Sequence, residues 1–225
     1  MGENQAMWPM LLEKAWAKMK GTYTASEAGR SGDPLSAFVG CPVFAHFNLF
    51  DAEADSDTVW QSLYEADQLD YISTASSFGS SDQEVNEYGV RNNHVYQVIS
   101  TFELLSSSGV PEHKMYMLRN PWSSTAYSGP WSKDDAQWTQ DYIDQVPLGV
   151  DPRVANEQGI FIIEHDLFLR MFELFEIGHY RDGEGYTDDW YDKEMDYGEV
   201  NDFHVAIPAG SSGDLYFQVH SYHYQ

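Results

Sequence analysis

Cysteine is nearly missing from this chain, with Cys41 the only one in 225 residues. A single thiol excludes an internal disulfide framework and any zinc site built on a cysteine pair, and it agrees with a reducing compartment. Basic residues are scarce too: 12 Lys and Arg stand against 36 Asp and Glu, for a net charge of -24. Nucleic acid is therefore not an expected partner, because phosphate neutralisation needs clustered cations. Anionic membrane surfaces are disfavoured for the same reason. A basic protein or divalent cations stay open as partners, as does a charge that serves solubility alone. Long apolar runs are absent as well. Phe161-Ile162-Ile163 is cut off by Glu164, His165 and Asp166, far short of the ~20 residues that cross a bilayer. Residues 1–20 lack the basic, apolar, small-residue order of a secretory signal. The expectation is a cytoplasmic protein with no membrane insertion.

What is present suits a packed core, since 42% of residues are hydrophobic and 15% aromatic. Trp8, Leu11, Leu12, Ala15, Trp16 and Met19 fall on one helical stripe. Pro9 suits the first turn of that helix, and Gly21 its exit. A Gly/Ser/Asp-rich loop (26–34) follows. Val59, Trp60, Leu63 and Tyr64 predict a second helix, capped by Asp55 or Ser56. Residues 71–76 read as a short strand. Residues 94–104 and 114–119 read as two strands pairing antiparallel across a turn through Gly109, Pro111 and Glu112. Residues 159–163 give another strand, and 164–175 a helix with Leu167, Met171, Leu174 and Phe175 on its apolar side. From 181 to 202 acidic residues, tyrosines and glycines dominate, which reads as an acidic linker. Residues 203–207 and 215–224 alternate like a β-hairpin tail.

Where could chemistry reside? Cys41 is followed by Pro42 and an apolar segment, with no helix start to lower its pKa, so it reads as a buried, inert thiol. No His-x-x-x-His pair lies on a predicted helix, and His220 and His223 fall on opposite faces of a strand-like tail, so no metal ligand set is expected. His94 opens one strong strand and Asn120 closes the next, so antiparallel pairing makes them neighbours. An amide oxygen accepting an imidazole N–H is the orienting half of a nucleophilic triad, and Trp122 could shield that bond. Spacing alone favours an ordinary strand-end histidine and a turn asparagine.

Four segments resemble one family in order along the chain. Gly89-Val90-Arg91-Asn92-Asn93-His94-Val95-Tyr96-Gln97-Val98 is similar to the calpain histidine motif, Gly-hydrophobic-x-x-x-His-Ala-Tyr-Ser-Val. Leu118-Arg119-Asn120-Pro121-Trp122 matches the calpain Leu-Arg-Asn-Pro-Trp. Gly129-Pro130-Trp131-Ser132 resembles the Gly-x-Trp-Ser/Asn that follows it. Trp8 to Lys18 and Gly21-Thr22-Tyr23 resemble the Leu-Leu-Glu-Lys-Ala-Tyr-Ala-Lys helix and its Gly-Ser-Tyr exit.

The resemblance implies an α+β fold: the second lobe of a papain-like, calpain-type core, a mostly antiparallel β-sheet with flanking helices. It would occupy residues 1–180, followed by the acidic linker 181–202 and the β tail 203–225, the tail being a possible start of a β-sandwich. It implies His94 as general base, Asn120 as its orienter and Trp122 as shield. Nothing here resembles the Gln-Gly-x-x-Gly-Asp-Cys-Trp segment that carries the nucleophile in the family's first lobe. The implied function is the His/Asn lobe of a calpain-like cysteine endopeptidase, inactive without a Cys-bearing first lobe as its partner. The alternative is a non-catalytic calpain-fold scaffold within a larger assembly. The family's second-lobe calcium ligands align with Ala126, Lys133, Gln158 and Ile160, which cannot supply the carboxylates, so neither calcium nor another cofactor is expected. In the acidic stretch, Asp188, Asp189, Asp192, Glu194 and Asp196 do not follow EF-hand spacing. Ser123 stands where the family has Gly, and Val95 and Gln97 stand where it has Ala and Ser.

Overall fold

A computed structural model describes residues 6–49, 55–181, 204–213 and 215–217. It divides into two units, Met1–Tyr180 and Arg181–Gln225. The first unit holds a six-stranded, fully antiparallel sheet in the order β1-β6-β2-β3-β4-β5. The strands are β1 Val43–Phe47, β2 Ile72–Ser77, β3 Val95–Leu105, β4 Pro111–Arg119, β5 Ile160–Glu164 and β6 Phe172–Gly178. Five helices flank them: α1 Trp8–Met19, α2 Gly32–Val39, α3 Ser56–Gln68, α4 Gln140–Ile143 and α5 His165–Met171. Among the described residues no helix is long and apolar enough to cross a membrane.

The two longest strands, β3 rich in β-branched and aromatic residues and β4 carrying the buried run Met115–Leu118, are joined by a short connection. Gly109 takes φ 78 in that turn, and Ser106 and Val110 close it through Ser106 N–H on Val110 O at 2.8 Å. One face of the sheet packs on α3 and α5 through Trp60, Leu63, Tyr116, Phe168, Phe172 and Phe175. The other face is covered by the connection after β4, with Trp131, Trp138, Ile143 and Val146 against Phe102, Met115 and Met117. Asp55 caps α3 by accepting the Asp57 N–H, as its side chain suggested.

Two expectations need correction. The helix read over 164–175 stops at Met171, and Phe172–Gly178 is a strand inserted between β1 and β2. Its backbone pairs on both sides, which outweighs the local helical spacing of Leu174 and Phe175. The loop read over 26–34 gives way to α2, whose start is held by the buried carboxylate of Glu176 accepting the Gly32 N–H at 3.0 Å. The apolar stripe of α1 faces outward: Trp8, Leu11 and Met19 are exposed and only Ala17 is buried. In the second unit the described residues 204–207 and 215–217 are not in a strand, and residues 203 and 218–224 of the expected hairpin lie outside the described residues. The acidic stretch 182–202 and His220 and His223 lie outside the described residues.

One buried ionisable group gives this unit a pH dependence. His165 is 5% exposed, with Tyr116 Oη and Ser56 Oγ each 2.8 Å from its two ring nitrogens. Burial, with the Lys114 ammonium second, pushes its pKa below the ordinary value. The folded state therefore binds fewer protons than the unfolded chain, and stability falls as pH drops below the unfolded value of about 6.5. Urea midpoints taken from pH 7.5 to 5.5 should decline, and His165→Gln should flatten that decline. His46, also lowered by burial, keeps a residual slope.

Candidate active site

β3 and β4 pair Gln97 with Arg119 and Val98 with Leu118, and continuing that register sets His94 opposite Trp122. The strand start and strand end thus bring His94 Nε2 within 2.9 Å of Asn120 Oδ1. Asn120 is 4% exposed, and the same oxygen accepts the Trp122 N–H at 3.0 Å. A backbone donor must face an acceptor, which identifies that end of the amide as oxygen. Oδ1 therefore accepts from the imidazole too, so Nε2 carries the proton and Nδ1 keeps its lone pair. An imidazole held in this tautomer can take a proton at Nδ1 from a nucleophile placed beside it.

The rings around the pair are ordered. Trp122 lies with its ring centroid 4.7 Å from His94, and Tyr96 meets His94 edge-on at 5.1 Å. Burial pushes the Tyr96 phenol up to about 12, so it stays protonated, and its oxygen accepts the Arg91 N–H at 2.8 Å.

Backbone at the site occupies unusual regions. Asn93, just before His94, has φ 44, and Ser123, closing the turn from Asn120, has φ 60. Such left-handed residues persist where the surroundings over-determine them. Here Asn93 N–H donates to Phe78 O at 2.9 Å and Ser77 N–H to His94 O at 3.0 Å. The Ser77 hydroxyl, 2% exposed, donates to Arg91 O at 2.6 Å. Ser123 N–H donates to Asn120 O at 3.0 Å, and Asn120 N–H to Gly159 O at 2.9 Å. The left-handed φ at Ser123 explains why glycine suits that position. Ser77 and Gly159 were not candidates from sequence. A serine at a strand end carries no signal, and only the φ of 78 and the approach to Asn120 O reveal what Gly159 does.

The turn before His94 docks on the loop after Trp122. Ser128 N–H donates to Tyr88 O at 2.9 Å, and a Cβ on Gly89, whose φ is 78, would sit 2.2 Å from Ala126 O. Gly89→Ala should therefore destabilise by clearly more than the ~1–3 kcal/mol of left-handed strain. Gly109→Ala isolates the strain, because Gly109 shares a φ of 78 with nothing within 4 Å. The two urea midpoints measure the difference, and equal losses would refute the clash.

Cys41 does not join His94. It is 2% exposed, and burial pushes its thiol pKa up. Pro42 O accepts the His179 N–H beside the Gly178–Ile72 end of the sheet, whereas His94 pairs with Ser77 at the far end of β2. The residues at the resemblance's calcium positions are also poor ligands. Ile160 is 9% exposed in the apolar core, Lys133 pairs with Asp134 at 2.6 Å, and Ala126 has no side-chain donor. Among the described residues, no three His, Cys, Asp or Glu side chains stand together as a metal set.

Known proteins are similar to this chain. The calpain family cysteine protease profile matches residues 1–179. The calpain-type cysteine protease DEK1 of Arabidopsis thaliana is 31% identical over 160 residues, covering 69% of this chain and 7% of that protein. Calpain-A of Drosophila melanogaster is 26% identical over 178 residues, 78% of this chain and 21% of that protein. Calpain-8 of Homo sapiens is 28% identical over 181 residues, 78% of this chain and 24% of that protein. The chain thus spans a quarter or less of each of these relatives. With the match running from the first residue through β6 and across the His94–Asn120 turn pair, the chain belongs to the calpain family of cysteine proteases.

Proposed function

We propose that this chain is the His/Asn lobe of a calpain-type cysteine endopeptidase, with His94 as general base, Asn120 as its orienter and Trp122 as the shield over their hydrogen bond. The observation that carries this reading is the pair of contacts at Asn120 Oδ1. Asn120 Oδ1, pinned by the Trp122 N–H, leaves His94 Nδ1 as the acceptor. The nucleophile would come from outside these residues, because Cys41 is buried at the opposite end of the sheet. In the reaction, Nδ1 takes the proton of a thiol on a facing lobe. The thiolate attacks the peptide carbonyl, and the imidazolium then returns the proton to the leaving amine. The Asn120 amide, being neutral, orients the ring without competing for the proton.

The lobe works without a calcium ion at the four positions above, and its partner is a thiol-bearing lobe in a cytoplasmic, reducing milieu. The chain alone is then inert. Mixing it with a thiol-bearing first lobe tests this directly. Peptide cleavage that is lost in His94→Ala supports the endopeptidase reading. A stable complex that never cleaves sinks it and leaves a calpain-fold scaffold.

A further inference from the structure

Trp122 shields the His94–Asn120 bond from an exposed position, since 47% of its surface faces solvent. An indole half open to solvent is held less by burial than a core ring would be. Its backbone is tied through the N–H to Asn120 Oδ1, but that bond leaves the ring free to turn about the side-chain torsions. Among the described residues, one aromatic ring and one cation lie against the indole. One is the His94 imidazole. The other is the Arg91 guanidinium, whose Cζ lies 5.1 Å from the ring centroid.

We propose that Arg91 is a positioning residue that clasps Trp122 over His94 by tying the indole face to the loop before β3. Its anchorage suits that task. The Arg91 N–H donates to Tyr96 Oη at 2.8 Å, and its carbonyl accepts from Ser77 Oγ at 2.6 Å, so the side chain departs from a fixed backbone. Nη1 then donates to the carbonyls of Asp82 and Gln83, each at 3.2 Å. A guanidinium bonds through its edge and stacks through its face, so one side chain can hold the loop and the ring together. An ammonium can supply the charge but not the planar face. Asn92 N–H donates to Glu84 O at 3.0 Å, which keeps the carbonyl-bearing loop beside the strand entry. The consequence for turnover rests on the endopeptidase reading above; the clasp itself does not.

The test begins with the unaltered 225-residue chain by NMR. If the clasp holds, the Arg91 Hδ and Hε protons are shifted upfield by the indole ring current, and that shift vanishes in Trp122→Leu. Ordinary positions for those protons in the unaltered chain would overturn the proposal, and this readout needs no Arg91 variant to fold. With 5-fluorotryptophan labelling, Arg91→Met should move the Trp122 resonance and remove the cross-peak between the indole and the His94 ring. The other six tryptophan resonances should stay in place. Arg91→Lys should restore the Trp122 position only in part. A Trp122 resonance unmoved in Arg91→Met would overturn the proposal as well. In the thiol-supplied enzyme, Arg91→Met should lower kcat about tenfold with KM little changed, the pattern of a lost transition-state contribution. Should that mixture fail to cleave at all, the endopeptidase reading falls, while the ring-current and fluorine signatures still decide the clasp.

Discussion

In a mixture that supplies the thiol, His94→Ala should lower kcat/KM on the order of 10^3-fold or more, the loss that follows removal of a triad base. The expectation rests on chemistry rather than on folding. The His94 side chain is half-buried, and its hydrogen-bonded partner is the Asn120 amide. Its removal takes away the proton acceptor while the strands that present it stay paired. Thermal melting should therefore move little. Asn120→Ala should show the converse balance. It leaves a base of undefined tautomer and also strips the Trp122 N–H of its acceptor, a loss of about 1 kcal/mol or more in stability. The double variant should be no worse in kcat/KM than His94→Ala, because the two residues act as one unit. Steady-state kinetics on the four proteins, with melting curves beside them, separates these effects. Full additivity of the two losses would refute the shared role.

Phe168→Ala should cost about 3–5 kcal/mol, the range for deleting a buried phenylalanine. Phe168 is 0% exposed and stacks on Tyr116 at 4.2 Å and on Phe172 at 4.8 Å, joining α5 to β4 and β6. The surrounding rings are themselves fixed: Phe172 meets Tyr96 edge-on at 5.6 Å, and Tyr116 is bonded to His165. Such a site collapses poorly, so the cavity remains. For a unit of this size the melting midpoint should fall by roughly 6–20 °C. Phe168→Leu, which keeps most of the volume, should stay below about 1.5 kcal/mol. The effect should also reach the site: Tyr96 touches both Phe172 and His94, so the His94 ring resonances should shift in Phe168→Ala. A melting midpoint within 2 °C of the parent would contradict the reading of this cluster as the centre of the core.

Much of the site was legible because it sits where local pattern and pairing agree. Residues 94–104 are rich in β-branched and aromatic residues, 114–119 carry the apolar run Met115–Leu118, and a short turn joins them, so antiparallel pairing had to bring the entry of one beside the exit of the other. The helix at 59–64 was equally clear, since its apolar spacing and the Asp55 cap point the same way. β6 was not legible. Leu174 and Phe175 continue the helical stripe of Leu167 and Met171, and only the vacant place between β1 and β2 selects the extended form. α2 was hidden for a similar reason, because its start is held by Glu176, 144 residues away from Gly32. The outward face of α1 could not be read either, as amphipathic spacing defines a stripe but not what meets it.

The sequence by itself determined the family, the adjacency of His94 and Asn120, and the antiparallel pair that brings them together. Those features rest on contiguous motifs and on one short connection, both of which are local. Tertiary structure decided the rest. It fixed the tautomer of His94, through a turn that aims the Trp122 N–H at Asn120. It separated Cys41 from the site by the length of the sheet. And it set Arg91 on the face of Trp122, a contact made across 31 residues by two loops whose meeting depends on how Gly89 packs on Ala126. Each of these is a matter of direction and distance between segments far apart in the chain, and side-chain order alone encodes neither.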